Sequence, residues 1–327
     1  MAKIVVTGKI PQVALDSLKS VHEVLAWDKE TPMPREELLK RVIGAEVIVS
    51  LLTEKIDEEV LNKSGSQLKA VCNVAVGYNN IDVNACKEKN IMVTNTPGVL
   101  TDATADIAMA LILMTTRRLA EGERVIRNQE PWAWGMFYML GTGIQNRTLG
   151  IIGMGQIGIA TAQRAQSFGM NIIYTRRNRM DEKLEQSLGA KFVTLDELLS
   201  LSDVVSIHCP YSKETHHLIA EAQLKKMKKS AYLVNTARGP IVDEEALANA
   251  LINKDIAGAG LDVYENEPAV NSKLLSLDNA VLIPHLGSAT VETRTAMATT
   301  AASNALEILK GNKALNPVWS QGYPTNS

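Results

Sequence analysis

One glycine-rich segment constrains the fold of this chain more than any other feature: residues 153–158 read G-M-G-Q-I-G and fit the pattern G-x-G-x-x-G. The apolar run Leu149 to Ile152 precedes it, and the helical pattern Ile159 to Phe168 follows it. Such glycine spacings also arise by chance in loops, but a strand before and a helix after place backbone N–H groups where a pyrophosphate can bind. The sequence therefore predicts the phosphate loop of a Rossmann-like, dinucleotide-binding domain.

Short β-branched runs alternate with amphipathic stretches on both sides of this loop, which is typical of βαβ units and parallel sheets. At 327 residues the chain exceeds the usual size of one core, so we expect α/β architecture in two doubly wound, Rossmann-like domains with a cleft between them. Long helices are predicted over Thr101 to Leu119 and Ala289 to Leu309, and the tail after the second is expected to return to the first domain. The predicted strands are Lys3 to Thr7, Glu23 to Ala26, Glu46 to Leu52, Lys69 to Val74, Ile91 to Thr94, Leu149 to Ile152, Ile172 to Tyr174, Val204 to His208, Tyr232 to Asn235, Ala257 to Leu261 and Val281 to Pro284.

Composition excludes several classes of protein. Lys and Arg number 34 and Asp and Glu 36, so the net charge of −2 gives no reason to expect nucleic acid as a partner. The N-terminus does not resemble a secretion signal and no apolar run reaches about 18 residues, so we expect no membrane association and a cytoplasmic protein. The three cysteines form no C-x-x-C pair and are interpreted as small apolar fillers in a reducing compartment.

No metal site is expected. His216 and His217 are adjacent, which on a helix or a strand would aim their side chains apart, and no His or Cys spacing typical of zinc supplies a site.

The loop after the second strand of the dinucleotide-binding domain indicates which coenzyme binds. An NAD-binding protein would carry an acidic residue there for the ribose hydroxyls. This chain instead has Thr175, Arg176, Arg177, Asn178 and Arg179, and guanidinium groups suit a 2′-phosphate. NADP(H) is therefore favoured, with NAD(H) possible. The alternative is a solvated basic loop, with weak or mixed coenzyme preference.

Arg238, Glu267 and His285 each follow the carboxyl end of a predicted strand, where ligands bind in open α/β sheets. The Arg238 fork can bind a carboxylate and a carbonyl oxygen, and an imidazole can donate a proton near neutral pH. A structural salt bridge for the arginine and a packing role for the histidine are the alternatives.

Several segments resemble signatures of the NAD(P)-dependent D-2-hydroxyacid dehydrogenases. They are residues 153–158, Asn235 to Gly239, Gly260 to Val263, Pro284 to Thr290, Val74 to Asp82 and Asn95 to Gly98. The resemblance covers essentially the whole chain, and within the family the glyoxylate and hydroxypyruvate reductases are the most similar. It implies a flavodoxin-like substrate domain at residues 1–99 and 288–327 and a dinucleotide-binding domain at residues 100–287.

The resemblance also assigns residue roles. Arg238 would hold the substrate carboxylate and carbonyl, His285 would protonate the carbonyl oxygen, and Glu267 would keep His285 protonated and oriented. Val76 and Gly77 would bind the substrate carboxylate through backbone amides, with Leu52 beside them. The expected coenzyme contacts are Gly153, Met154, Gly155, Gln156, Ile157, Gly158, Thr175, Arg176, Arg177, Asn178, Cys209, Pro210, Thr104, Thr236, Ala237, Asp262 and Gly287.

Two positions refine this resemblance. Asn79 stands where the family often has Asp, which affects the local hydrogen bonding of the loop and not the chemistry. Val76 stands where phosphite-oxidising members carry a lysine, so phosphite is not expected as a substrate.

An aromatic-rich segment precedes the phosphate-loop strand and contains Trp132, Trp134, Phe137 and Tyr138. In the family this arm packs across a dimer, so we expect a homodimer, with Trp134 or Met136 near the partner's cleft. The alternative is that the four rings pack within their own chain.

The sequence therefore predicts NADPH-dependent reduction of a small 2-oxo acid of the glyoxylate or hydroxypyruvate type to the D-hydroxy acid. A phosphoglycerate, 2-ketogluconate or lactate dehydrogenase remains an alternative within the family. A dinucleotide-sensing protein of the corepressor type is the non-enzymatic alternative, and the retained Arg238, Glu267 and His285 argue against it.

Overall fold

The computed structural model describes residues 1–319, and the chain divides into two compact units. The first unit comprises Met1–Leu100 and the chain from Thr290 onward, and the second comprises Thr101–Ala289. The substrate domain predicted from the sequence includes residues 320–327, which lie outside the described residues.

The first unit contains a five-stranded parallel sheet in the order β2-β1-β3-β4-β5. This is the flavodoxin-like strand order. Helices cover both faces, because alternate residues of the same strands enter two separate cores: Ile4 and Val6 of β1 contribute to one, and Val5 to the other. The strands are β1 Lys3–Val6, β2 Glu23–Ala26, β3 Val47–Ser50, β4 Ala70–Asn73 and β5 Met92–Thr94. The helices within the first hundred residues are α1 Gln12–Lys19, α2 Arg35–Arg41, α3 Glu58–Ser64 and α4 Val83–Glu88.

The end of the described chain returns to the first unit, as the sequence predicts. Helix Val291–Leu309, capped by the Thr290 hydroxyl, packs on α1, β3 and β4. Pro317 then forms an antiparallel bridge with Thr94, and the Val318 amide donates to the carbonyl oxygen of Val93 at 3.0 Å.

The second unit contains a seven-stranded parallel sheet in the order β12-β11-β10-β9-β6-β7-β8. Its first six strands have the Rossmann order, and the strand order reverses between β6 and β9, where such folds bind dinucleotides. The strands are β6 Thr148–Ile152, β7 Asn171–Thr175, β8 Ala190–Phe192, β9 Val204–Ile207, β10 Tyr232–Asn235, β11 Gly258–Leu261 and β12 Ala280–Leu282. The helices are α5 Thr101–Thr116, α6 Leu119–Arg127, α7 Gln156–Ser167, α8 Glu182–Ser187, α9 Leu195–Leu201, α10 Glu221–Leu224, α11 Glu244–Ile252 and α12 Ser272–Leu275, and Val291–Leu309 becomes α13.

Two sequence predictions of local structure were wrong. The helix predicted over Thr101 to Leu119 ends at Thr116, because Arg118 adopts a left-handed conformation with φ 53° and a separate amphipathic helix, α6, follows. The edge strand β8 was missed because three residues are too short for a period to be detected. No helix within residues 1–319 combines the length and the apolar character that crossing a bilayer requires.

Candidate active site

Each of the three glycines of the phosphate loop is explained by a different feature of the local structure. Gly153 has φ +95°, and a Cβ there would lie 2.4 Å from the backbone nitrogen of Cys209. A Cβ on Gly158 would lie 2.6 Å from the carbonyl oxygen of Gly153, so this glycine lets α7 approach the loop. A Cβ on Gly155 would meet no protein atom within 4 Å. The second glycine therefore leaves open space at the start of α7, as the approach of a pyrophosphate requires.

Cys209 and Pro210 follow β9, and the contact of Cys209 with Gly153 places this segment beside the phosphate loop. His208 lies directly before them and was not identified in the sequence analysis. Its Nε2 is 2.8 Å from the hydroxyl of Ser206 and its Nδ1 is 3.5 Å from that of Thr236, an expected coenzyme contact. Burial lowers the pKa of His208 to about 4, so the ring is neutral at physiological pH. The rule that identified Arg238, a polar residue past a strand end, applies to His208 as well.

The three arginines after β7 have separate roles. Nη1 of Arg176 donates to the carbonyl oxygen of Met154 in the phosphate loop at 3.0 Å. Arg177 forms no hydrogen bond or ion pair with the residues that the structure describes. The pKa of Glu214 is lowered mainly by the hydrogen bonds that Glu214 makes, and the positive charge of Arg177 lowers it further. Arg179 is engaged with Glu185, its Nη2 lying 2.7 Å from Oε2. The sequence interpretation of Arg179 as part of the phosphate-binding cluster stays a prediction, and its guanidinium already has a carboxylate partner.

Arg238 is positioned by a tight turn after β10. The buried Asn235 side chain accepts from the Ala237 amide at 3.0 Å and donates to the Arg238 carbonyl oxygen at 2.9 Å. Gly239 follows because a Cβ there would lie 1.9 Å from the carbonyl carbon of Tyr264. The backbone after Arg238 therefore packs directly on the segment that leads to Glu267.

Glu267 and His285 are joined by a hydrogen bond of 2.8 Å between Oε2 and Nδ1. The other carboxylate oxygen, Oε1, accepts from the Tyr264 amide at 3.0 Å. His285 has φ 54°, and its amide donates to the carbonyl oxygen of Asp262 at 2.9 Å, which holds this left-handed turn. Both ends of the acid–imidazole pair are thus fixed by backbone contacts.

Arg238 interacts through its charge with Glu267, the carboxylate that is hydrogen-bonded to His285. Burial raises the pKa of Glu267, but the hydrogen bond and charge of His285, with the Tyr264 amide and Arg238, lower it more, so the net pKa lies below 4.5. Burial lowers the pKa of Arg238, and the nearby Glu267 carboxylate opposes that shift. A guanidinium, an imidazole and a carboxylate are therefore brought together at the strand ends of this sheet.

Asp262 supports the turn that carries His285. The residue is 1% exposed, and its carboxylate accepts from the amides of Leu286 and of Gly287, the latter at 2.8 Å. Thr104 closes the same turn, its hydroxyl donating to the Gly287 carbonyl oxygen at 3.1 Å. Burial raises the pKa of Asp262, and the hydrogen bond from Leu286 and the charge of His285 partly offset this. The expected contact between Asp262 and the nicotinamide carboxamide remains a prediction.

The loop residues Leu52, Val76 and Gly77 lie in the first unit, past the ends of β3 and β4. Nδ2 of Asn73 donates to the Gly77 carbonyl oxygen and Nδ2 of Asn95 to that of Val76, both at 2.8 Å. These bonds hold the loop carbonyls and leave the expected role of the amides untested.

Glu54 is a buried residue of this region that the sequence analysis missed. It is 3% exposed, and the hydroxyls of Thr7 and Thr53 each donate to it at 2.5 Å. Asn80 ties the same segment together, since its Nδ2 donates to the Leu51 carbonyl oxygen at 2.9 Å. A glutamate four residues after the end of the buried strand β3 was the available signal.

The expectation that His216 and His217 point apart is wrong. Their rings stack with centroids 4.0 Å apart, because the pair lies in a turn and His217 has φ 49°. Nε2 of His217 lies 2.9 Å from Glu265 Oε1. Within residues 1–319, no group of three or more His, Cys, Asp or Glu side chains has the arrangement of a metal site.

With this geometry established, comparison with known proteins identifies the family. Residues 109–287 match the family model "D-isomer specific 2-hydroxyacid dehydrogenase, NAD binding domain". The chain is 45% identical over 314 residues to the glyoxylate reductase of Thermococcus litoralis, covering 94% of each chain. Its structure is similar to a glyoxylate reductase from Paecilomyes thermophila, with TM-score 0.88, 36% identity and coverage of 98% and 99% of this chain and that one.

A second similar structure was determined with coenzyme. The NADPH-dependent glyoxylate/hydroxypyruvate reductase of Sinorhizobium meliloti, in complex with NADP and malonate, has TM-score 0.84 and 33% identity, covering 97% of this chain and 96% of that one. The fold, the phosphate loop and these similarities agree, and the chain belongs to the D-isomer specific 2-hydroxyacid dehydrogenase family, as an oxidoreductase with a domain for a nicotinamide dinucleotide.

Proposed function

We propose that this enzyme uses NADPH to reduce a small 2-oxo acid, of the glyoxylate or hydroxypyruvate type, to the 2-hydroxy acid, with D configuration where the product is chiral. The observation that carries the proposal is the 2.8 Å contact between Glu267 and His285, together with the charge interaction of Glu267 with Arg238. Relatives that are named glyoxylate reductases support this substrate class.

The proposed roles follow from where charge develops. A bound nicotinamide coenzyme supplies a hydride to the carbonyl carbon. Negative charge then builds on the carbonyl oxygen, and His285 gives that oxygen a proton. Glu267 stabilises the imidazolium before the transfer, since a neighbouring carboxylate favours the charged form. Arg238 binds the substrate carboxylate and polarises the carbonyl with the same planar fork.

The second unit is proposed to bind the coenzyme, with its pyrophosphate at residues 153–158 and its 2′-phosphate at Arg176 and Arg177. The open space at Gly155 supports this assignment, as does Arg177, which forms no hydrogen bond or ion pair with the described residues. The first unit is proposed to bind substrate through Leu52, Val76 and Gly77.

A panel of 2-oxo acids tests the function directly. Glyoxylate, hydroxypyruvate, pyruvate and 2-ketogluconate are mixed with NADPH or NADH, and coenzyme oxidation is followed by absorbance. The proposal expects the highest kcat/KM for glyoxylate or hydroxypyruvate with NADPH. A higher kcat/KM with NADH would overturn the coenzyme assignment, and no turnover of either acid would overturn the substrate assignment.

We also propose that the enzyme is a homodimer that buries the aromatic arm. Four aromatic residues of this arm are exposed, by 56%, 81%, 88% and 41% of their surface, so their rings are not buried within their own chain: Trp132, Trp134, Phe137 and Tyr138. Exposed aromatic clusters of this kind are typical of protein interfaces. Light scattering after size exclusion tests the proposal, and a monomeric mass at micromolar concentration would contradict it.

A further inference from the structure

The loop between β7 and α8 contains a buried carboxylate that the proposed function does not use. Glu185 on α8 has a side chain that is only 6% exposed, whereas its partner Arg179 is 63% exposed. Arg179 donates to both carboxylate oxygens, from Nε at 3.0 and 3.1 Å and from Nη2 at 2.7 Å. Tyr174 at the end of β7 donates its hydroxyl to the same carboxylate. We call Tyr174, Arg179 and Glu185 the Glu185 brace.

The brace ties together the two ends of the basic loop. Tyr174 is fully buried in β7 just before the loop, and its hydroxyl accepts from the Met180 amide at 3.0 Å just after it. Arg179 closes the ring of contacts from the far end of the loop. Arg176 and Arg177, between these anchors, are exposed. Holding the two ends restricts the conformations of the exposed loop between them, and the Arg176 guanidinium has its own contact with the Met154 carbonyl oxygen.

Within the brace, the positive charge of Arg179 balances the negative charge of Glu185 near the proposed phosphate site. A buried carboxylate without a cation would repel a 2′-phosphate, and it would be costly to bury. The hydrogen bonds from Arg179 and Tyr174 lower the pKa of Glu185, so the group is ionised and its charge is balanced by Arg179. The third arginine of the loop therefore neutralises Glu185, and Arg176 and Arg177 remain to bind an anion.

We infer that Glu185 is a positioning residue for NADPH: through Arg179 and Tyr174 it holds the loop in the shape that lets Arg176 and Arg177 grip the 2′-phosphate. This inference rests on the proposed coenzyme preference and deepens it. It differs from the simpler account in which Arg179 itself binds the phosphate, and the two accounts predict opposite effects for one substitution.

Glu185→Gln is that substitution, because it keeps the side-chain shape and removes the charge that holds Arg179. If Glu185 positions the loop, kcat/KM with NADPH falls by about 10-fold more than kcat/KM with NADH, as expected when a charge-assisted phosphate contact is weakened. If Arg179 is a direct ligand, releasing it leaves the NADPH preference unchanged or raises it. Inhibition constants of 2′,5′-ADP and 5′-AMP report the same difference without turnover, and only the former is expected to weaken.

Arg179→Met and the double variant complete the test. Each single variant should lower the NADPH preference, and the double variant should lower it no further than the more affected single variant, because both residues act through one contact. Glu182→Gln, on the same helix and exposed, is the matched control and should change neither coenzyme constant. Thermal unfolding of each variant checks folding, and Tyr174→Phe, which removes only the hydroxyl bonded to Glu185 and to the Met180 amide, serves if Glu185→Gln does not fold.

The outcomes separate this inference from the coenzyme proposal. A wild-type enzyme that prefers NADH, or that binds 2′,5′-ADP no better than 5′-AMP, overturns both. A wild-type enzyme that prefers NADPH and loses that preference in Arg177→Ala, but keeps it in Glu185→Gln, supports the coenzyme proposal and overturns the role of Glu185.

Discussion

The Nδ1 atom of His285 lies 2.8 Å from Oε2 of Glu267, across a gap of 18 residues in the chain. Because this contact occupies Nδ1, Nε2 is the ring nitrogen that can give a proton to a substrate. Glu267 is held from its other oxygen by the Tyr264 amide, and the left-handed turn at His285 is held by Asp262. The direction of the imidazole is therefore set by backbone contacts on both sides.

Replacing Glu267 with Gln tests the charge of this pair. The variant keeps an oxygen for His285 but loses a charge-assisted hydrogen bond, so we expect kcat/KM to fall about 10- to 100-fold, with the coenzyme dissociation constant unchanged. Because the pKa of Glu267 lies below its ordinary value of 4.5, the wild-type carboxylate stays ionised above that pH. The charge that the variant lacks is therefore present in the wild-type enzyme throughout an assay range of about pH 5.5 to about pH 8. A Glu267→Gln variant with near wild-type kcat/KM in this range would contradict the assignment.

Gly155→Ala separates coenzyme binding from folding. The backbone at Gly155 has φ −90°, which alanine adopts, and the added Cβ meets no protein atom within 4 Å. We expect an unchanged or slightly raised midpoint of thermal unfolding, since such a change reduces the freedom of the unfolded chain. The methyl group occupies the space proposed for the pyrophosphate, so the KM for NADPH should rise by about 10-fold or more. Gly143→Ala, also without a neighbour within 4 Å, is the control, and an unchanged KM in Gly155→Ala would contradict the proposed phosphate site.

The sequence predicted the parts of this fold that repeat a physical pattern. Parallel strands covered on both faces are continuous apolar runs, as in Val47–Ser50 and Val204–Ile207, and these were located to within a few residues. The rule that ligands bind at the carboxyl ends of strands predicted that Arg238, Glu267 and His285 would converge, and the structure brings them together.

What the sequence did not predict depends on contacts between side chains that are distant along the chain or in unusual turns. The stacking of His216 on His217 requires the positive φ of His217, which no local pattern indicates. Arg179 is the same residue type as Arg176 and Arg177 in the same loop. Only its contact with Glu185 on the next helix distinguishes it from them. The buried carboxylate of Glu54 accepts hydrogen bonds from two threonine hydroxyls, and one of these threonines is 47 residues away in the chain.

Gly239→Ala should disrupt the site by steric clash. The new Cβ would lie 1.9 Å from the Tyr264 carbonyl carbon and 2.4 Å from the Glu265 nitrogen, and neither atom belongs to a flexible side chain. Either the turn that carries Arg238 or the segment that carries Glu267 must move. Because small displacements of catalytic groups are costly, we expect kcat to fall at least about 100-fold, with a lower midpoint of thermal unfolding. The same Gly143→Ala control applies, and a variant with near wild-type kcat would show that this packing does not position the site.

His208 should make the stability of the enzyme depend on pH. Burial lowers its pKa from 6.5 to about 4, so in the folded protein the ring stays neutral where the ring of an unfolded chain takes up a proton. As the pH falls from about 6.5 to about 4, the unfolded state binds the additional proton and folding stability decreases. The contribution is full above about pH 6.5 and lost below about pH 4, and its size is up to about 3 kcal/mol.

The His208→Gln variant isolates this contribution from other groups that titrate over the same range. The free energy of unfolding of both proteins is measured by denaturant titration at about pH 7.5 and about pH 5. We expect the wild-type protein to lose more stability between these two values than the variant does, because glutamine has no proton to gain. Equal losses in the two proteins would mean that His208 accepts a proton in the folded state as readily as in the unfolded one. Its ring would then not be held neutral between Ser206 and Thr236.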